Sequence, residues 1–452
     1  MRSLRPEQTY QASKSWTDDL PVCKESGIGS STNQIYREDG NRQEEHEFED
    51  RFFHIKFDTN SYLYGVFDGY EGAKAVEFCS QRMPAEIVLG QLKDKKTDEE
   101  IKEVLRQAFM YVEKGYMDSI YDLLAERAML SYDIPEGLNN YEAYKQVPQV
   151  VENIKRINYE LSSGATAAIA LIYNNKLYIA NVGTCRVLLC LTDSNSVLKV
   201  VQLSVDHNLR NEDELLRLSQ IGINAANLRR CTHLGNQGNT RCLGNYLVKG
   251  GYKEFEDLVE AKQEPVISEP DIIGGIAIDE SCRFLLMMSS GFYHSLEEAM
   301  GTEQVNKYIA QCVVEQFREQ TTLPSVAQAV VDKVVRQHHD WYMSSSASNP
   351  STKREDITLL VRNFNYILLN ANKSPTNPAI SFNPVVVPNV LTNNNTTTYN
   401  SNITSTVSTV HNDNESEIGE DNKMDAYVDF STFYQNYAIA KTDGSLPNCL
   451  EF

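Results

Sequence analysis

Asp68 closes an apolar run in the segment LYGVFDGYEG (63–72), and Gly69 and Gly72 follow it. A carboxylate at the end of such a run, beside glycines that permit close approach, can hold a metal ion or sit near a phosphate. A second acidic pair, Glu38 and Asp39, lies in NQIYREDG (33–40). Two later strand edges, FLLMMSSGFYHS (284–295) and KREDITLLV (353–361), carry Ser290 and Glu355. Hard divalent cations want oxygen ligands of this kind. Plainer readings stand beside this one: Asp68 as a turn former before Gly69, and Glu38 and Asp39 as surface acids. His207, in SVDHNLRNEDELLRL (204–218), precedes a helical pattern, and its type and place suit bracing that helix better than acid–base work.

The elements that must position these residues are short strands and paired helices. Strands are expected at 51–57, 61–67, 164–173, 176–182, 185–191, 197–203, 274–279, 282–289 and 356–364, all rich in β-branched and aromatic residues. Between two of them, YNNKL (173–177) reads as a hairpin turn, because Asn tolerates left-handed backbone angles. Ile101, Val104, Leu105, Ala108, Phe109 and Val112 recur at helical spacing in 98–114. Val326, Val330 and Val334 do the same in 325–339, with Ser325 as N-cap. Helices come in pairs between groups of strands, which predicts an α+β, four-layer α-β-β-α sandwich rather than a doubly wound parallel sheet. No internal repeat is visible.

The chain has 452 residues and a formal net charge of −20. That balance argues against nucleic-acid binding and against an anionic membrane surface. No apolar run is long enough for a transmembrane helix, and MRSLRPEQTYQASKSWTDDL lacks the apolar centre of a secretory signal. Arg2 excludes the N-myristoylation pattern. The nine cysteines are odd in number and form no C-x-x-C pair. Buried thiols in a reducing, cytoplasmic compartment are expected, with Cys79, Cys185, Cys190, Cys242, Cys282 and Cys312 in apolar stretches. Beyond about residue 366 the composition changes: the tract at 393–417 is rich in Asn, Thr and Ser, too polar to offset chain entropy, and reads as part of a disordered linker, 366–423. Aromatic density returns in MDAYVDFSTFYQNYAIA (424–440).

In order and spacing, NQIYREDG, GVFDGYEG, SGATAAIALIYNNKLYIANVGTCRVLL (163–189), FLLMMSSGFYHS and KREDITLLV resemble the metal-dependent type-2C family of Ser/Thr protein phosphatases over about residues 15–365. The resemblance implies a central β-sandwich flanked by helix pairs and two-metal hydrolysis by Mg²⁺ or Mn²⁺. Glu38, Asp39, Asp68 and Gly69 match its metal site. Five positions depart from it. Gln34 stands for the phosphate-binding Arg, Tyr70 for His and Thr184 for the Asp of GDSR. Ser290 replaces a metal-ligating Asp, and Glu355 another, one methylene longer. One ion position keeps its set of Glu38, Asp68 and Gly69. The other, Asp68, Ser290 and Glu355, has lost a negative charge, so one weakly bound Mn²⁺ or Mg²⁺ at most is expected, no cofactor is required and no catalytic residue is assigned.

The tail narrows this further. Tyr427, Phe430, Tyr434 and Tyr437 fall on one helical face, with Val428 and Phe433 adjoining and Asp425 as N-cap. So short a helix gains order by docking in a partner's groove. The alternative is packing on its own domain. A type-2C-like domain, a polar linker and YVDFSTFY together resemble the adaptors that bind and activate the TGF-β-activated kinase, a MAP kinase kinase kinase. Asp68 departs from the vertebrate members, which carry Asn there. In FNPVVVPNVL (382–391), Pro384, Val385, Val387 and Pro388 resemble the segment with which such adaptors dock a p38-class MAP kinase; a chance extended spacer is the alternative. Three functions stay open: a pseudophosphatase adaptor for a kinase, a live phosphatase with an altered metal site, and a domain that only binds phosphorylated or ubiquitin-pathway partners.

Overall fold

The structure is a computed structural model that describes residues 20–37, 41–135, 137–302, 304–344 and 353–368. It opens with β1 (Ser26–Ser31), β2 (Gln34–Tyr36), β3 (Arg42–Gln43), β4 (Arg51–Asp58) and β5 (Ser61–Tyr70). Helices α1 (Lys74–Val88), α2 (Asp98–Ser119), α3 (Tyr121–Tyr132), α4 (Asn140–Gln146) and α5 (Pro148–Ser162) follow. Strands β6 (Gly164–Tyr173), β7 (Lys176–Val182), β8 (Arg186–Thr192) and β9 (Leu198–Gln202) lead to α6 (Glu212–Gln220) and α7 (Ala225–Leu228). The last elements are β10 (Leu243–Gly244), β11 (Asp271–Ala277), β12 (Cys282–Met288), α8 (Ser290–Met300), α9 (Val305–Glu319), α10 (Leu323–Ser344), β13 (Lys353–Arg354) and β14 (Ile357–Asn363).

One antiparallel sheet has the order β11-β7-β6-β5-β4, with β10 also paired to β6; a second runs β1-β14-β12-β8-β9. The period-2 alternation of side chains sorts them into layers. Leu63 and Phe67 of β5 turn to α1 and α2, joining Val76, Met83, Leu105 and Phe109. Tyr64 and Val66 turn the other way and meet Val187, Leu285 and Met287 between the sheets. Phe284, Leu286 and Met288 of β12 face α8, α9 and α10. The order is α-β-β-α, as the pairing of helices in the sequence predicts. Each fully buried Leu or Phe here contributes about 1.5–3 kcal/mol.

Local chemistry explains the element ends. Asn174 and Asn175 both take positive φ (51° and 60°) in the β6–β7 hairpin. Thr97 and Glu100 form a capping box at the start of α2. Helix α10 begins at Leu323, so Ser325 lies inside its first turn instead of capping it; its N–H is 3.3 Å from the Thr322 hydroxyl. Strand β1 is not among the strands expected from the sequence. Its glycines serve packing: a Cβ on Gly27 would lie 2.2 Å from the Leu323 carbonyl carbon, and one on Gly29 2.5 Å from that of Ala327. Bare backbone lets α10 lie directly on the strand.

The described cysteines are free, and all are buried except Cys231. Among the described residues no helix is long and apolar enough to cross a membrane. The segments 382–391 and 424–440, and with them Pro384, Val385, Val387, Pro388, Tyr427, Val428, Phe430, Phe433, Tyr434 and Tyr437, lie outside the described residues.

Candidate functional site

The end of β5, the starts of β4 and β14 and the end of β12 converge at one end of the sandwich. There they line a cleft of about 800 Å³ that includes Glu49, Asp68, Tyr70, Ser290, Glu298 and Glu355. Antiparallel register dictates this meeting: Arg51 pairs with Phe67, and Met288 with Leu359.

Asp68 sits on the floor. Its Oδ2 accepts the Ser290 N–H at 2.8 Å and also the Ser290 hydroxyl. Ser290 is the first residue of α8, so Asp68 satisfies one of the helix's unpaired amides and complements its positive end. Burial pushes the Asp68 carboxyl above the usual range, and the two bonds from Ser290 oppose that rise. Glu355, the other late ligand position, opens onto the cleft. Loss of water there, with the charges of Asp68, Glu298 and Asp356, pushes its carboxyl up to about 7. The adjacent Asp356 is committed to structure: Oδ1 accepts from Asn33 N (2.6 Å) and Nδ2 (2.9 Å), and Oδ2 accepts from Glu49 N (2.7 Å).

Glu38 and Asp39 lie outside the described residues. The acidic pair that the structure brings to Asp68 and Gly69 is a different one, Glu49–Asp50. Glu49 Oε1 accepts the Gly72 N–H at 2.8 Å, and its carbonyl lies 2.6 Å from where a Gly69 Cβ would be. Asp50 is 1% exposed, with the hydroxyls of Thr358 and Ser289 as the side-chain donors near its carboxyl. Burial, then repulsion from Asp68, pushes its carboxyl well above the usual range. The signal was present in the sequence: EFED (47–50) runs directly into the strand that pairs with the one ending at Asp68.

The other departing positions separate. Tyr70 lines the cleft, and its hydroxyl donates to Gln237 Oε1. Thr184 is buried and donates to Asn239 Oδ1 at 3.2 Å. Gln34, on β2, turns its amide to the Thr32 hydroxyl at 3.5 Å and is not among the cleft residues. His207 is fully buried and braces a turn. Its Nδ1 accepts the Gly183 N–H at 3.1 Å, which fixes Nε2 as donor to Asp271 at 2.8 Å. The helix after His207 is capped by Asn211 instead.

Whether this set fits two dications can be judged from the donors. Among the described residues no three His, Cys, Asp or Glu side chains group to hold a metal ion. Asp68 gives one oxygen to Ser290, Glu49 one to Gly72, and Asp356 both to amide groups. That leaves the second oxygens of Asp68 and Glu49, and the Glu355 carboxylate in the cleft, as the ligands for an ion.

The family model for "Protein phosphatase 2C" matches residues 36–339. A Caenorhabditis elegans protein named "TGF-beta-activated kinase 1 and MAP3K7-binding protein 1" is 28% identical over 349 residues, 76% of this chain and 82% of that protein. "Probable protein phosphatase 2C 2" of Paramecium tetraurelia is 27% identical over 253 residues, 56% of this chain and 70% of the other. Among solved structures, a serine-threonine phosphatase 2C from Toxoplasma gondii is 14% identical, covers 76% of this chain and 96% of its own, and superposes with a TM-score of 0.46.

Proposed function

Because the chain belongs to the protein phosphatase 2C family, we propose that it keeps that fold as a scaffold without the hydrolysis and acts as a kinase-binding adaptor. The observation that carries this reading is the double donation from Ser290 to Asp68. A hydroxyl and an amide stand against the central carboxylate, where two-ion chemistry would need another acid. Any divalent ion then binds weakly, at Asp68 and Gly69 with Glu49 in the place first read for Glu38.

The similarity to the nematode kinase-binding protein supports a partner of the same kind, a MAP kinase kinase kinase of the TGF-β-activated type. Capture falls to residues 424–440, with Phe430 at the centre of the aromatic face, and activation follows from holding the kinase. Residues 382–391 add a second dock for a p38-class MAP kinase. The setting is cytoplasmic signalling in stress, cytokine and innate immune responses.

A second reading, a live phosphatase, draws on the carboxylates of Glu49, Asp68 and Glu355 that still share one cleft, and on the likeness to Paramecium proteins named as phosphatases. Two assays on the full chain separate the readings. Phosphopeptide hydrolysis with Mn²⁺ should be absent, and binding to the kinase should be lost when residues 420–452 are removed.

A further inference from the structure

The end of the sandwich opposite the cleft holds a second pocket. Period-2 alternation sends Leu360 of β14 between the two sheets and sends Arg362 the same way. Strand β5 carries Tyr62 at this end and Asp68 at the other, about 20 Å away along the strand. Where the sheets part, Asn60, Tyr62, Ile172, Ile278, Arg362 and Phe364 line a space of about 520 Å³.

Arg362 is 7% exposed. A charge so well covered is costly unless it is paired. Arg186 and Arg241 meet that need with Asp206 at 2.8 Å and Glu214 at 2.6 Å. Arg362 does not: among the described residues no carboxylate closes on its guanidinium. Glu25 is near enough to feel its charge, but the Glu25 carboxylate accepts from the Cys23 thiol at 3.2 Å. Arg362 Nη1 donates to the Glu25 carbonyl at 3.3 Å and to the Asn363 carbonyl, and the Tyr64 hydroxyl is a further neighbour. Its Nε, buried, has no hydrogen-bond partner among the described residues. The Tyr62 and Phe364 ring centres lie 4.9 and 5.3 Å from its Cζ. Ring faces attract a cation but accept none of its in-plane N–H groups. Lys56 Nζ, 5.5 Å from the Tyr62 ring centre, adds a second positive charge.

We propose that this pocket binds a small carboxylic acid with a ring or branched apolar body. The carboxylate answers the guanidinium that the fold leaves without an acid, and charge-assisted bonds of this kind are the strong ones. The body packs on Tyr62, Phe364, Ile172 and Ile278, and the space is of the size that small-molecule sites occupy. Asp279 and Glu280, exposed at the rim, limit the charge admitted. Asp279 Oδ1 is engaged by the Ser281 N–H at 2.8 Å and hydroxyl at 2.6 Å, but its charge remains. Such a rim repels a dianion about twice as strongly as a monoanion, so phosphate is disfavoured against a carboxylate. One ion pair and one covered ring give a dissociation constant of about 0.1–1 mM.

The test is saturation-transfer NMR on the full chain with benzoate, its uncharged isostere benzamide, and inorganic phosphate. Benzoate should bind in that range, benzamide at least about tenfold more weakly, and phosphate should not displace benzoate. Arg362→Gln should weaken benzoate at least about tenfold in a chain that still unfolds cooperatively in urea. Asn60 is exposed in the turn between β4 and β5, and its variants decide the matter if that chain does not fold. Asn60→Asp should weaken benzoate about three- to tenfold, and Asn60→Lys should tighten it by a similar factor. Opposite signs at one exposed position report charge at the pocket mouth, which a disturbance of the fold would not produce. No benzoate binding up to about 10 mM, benzamide binding as tightly as benzoate, or unchanged binding in folded Arg362→Gln overturns the proposal. The two Asn60 variants shifting affinity in the same direction also overturns it, as does displacement of benzoate by an equal concentration of phosphate, which would mark a general anion site.

Discussion

The N–H of Ser290 lies 2.8 Å from Asp68 Oδ2, and the Ser290 hydroxyl donates to the same oxygen. One residue thus closes two bonds on the carboxylate that opens the candidate site. Helix α8 also presents to this carboxylate the positive end that a negative charge favours. The pair links the end of β5 to the start of α8 across the two sheets, so the site is held together by protein donors.

Ser290→Asp should reverse this. It removes the hydroxyl donor and sets a second carboxylate beside Asp68, at a cost of about 1–3 kcal/mol in metal-free buffer. Millimolar Mn²⁺ should recover several degrees of melting temperature in that variant and move the natural chain by less than about 1 °C. Differential scanning fluorimetry reads both. A natural chain that gains several degrees would show that Asp68 already holds an ion tightly.

Hydrolysis should be absent for the same reason. With Mn²⁺ or Mg²⁺, turnover of a phosphopeptide and an aryl phosphate should lie several powers of ten below the 1–10³ s⁻¹ typical of enzymes. A rate in that range that collapses in Asp68→Ala would establish the phosphatase reading.

Glu355 makes stability depend on pH. Its folded-state carboxyl titrates at about 7, above the usual 4.5, so the folded chain binds the proton more tightly than the unfolded one. The stabilisation this brings is complete below about pH 4.5 and is lost as pH rises through about 7. Glu355→Gln should flatten the stability profile between about pH 5 and 8 and leave the variant the more stable at the alkaline end. Urea unfolding across that range checks it; parallel profiles for the two chains contradict it.

Gly29→Val tests the packing of β1 on α10. The new side chain meets the backbone of Ala327 and Gln328 within 2.6 Å, and backbone in a helix cannot step aside. A loss of about 1–3 kcal/mol or more is expected from overpacking, against a gain from strand propensity alone. Equal or raised stability in urea would show that α10 does not lie on this strand.

Strand β1 also shows where sequence reading stops. Long apolar strands such as GATAAIALIY and the valine face of α10 announce themselves by period and residue type. SGIGSS hides its strand because the glycines that admit α10 are those that signal a turn. The site was legible in part for a similar reason. Asp68, Ser290 and Glu355 are placed by strands that the pattern reveals. Glu49–Asp50 is brought to Asp68 by the register of β4 against β5, which EFED, read as the start of a strand, foretells; Glu38 and Asp39 lie outside the described residues. Asp356, which the sequence reading does not single out, ties Asn33 and Glu49 together, a role visible only once the chain has folded.

The central claim is that this chain captures a kinase through an aromatic tail and not through its phosphatase-like cleft. Fluorescence anisotropy decides it, with a labelled 420–452 peptide titrated by the kinase domain and the full chain as competitor. The peptide should retain most of the full chain's affinity, and Phe430→Ala should weaken binding by roughly ten- to more than a hundred-fold, since one buried ring contributes about 1.5–3 kcal/mol. A peptide that does not bind, while a full chain carrying Phe430→Ala binds unchanged, would contradict the account.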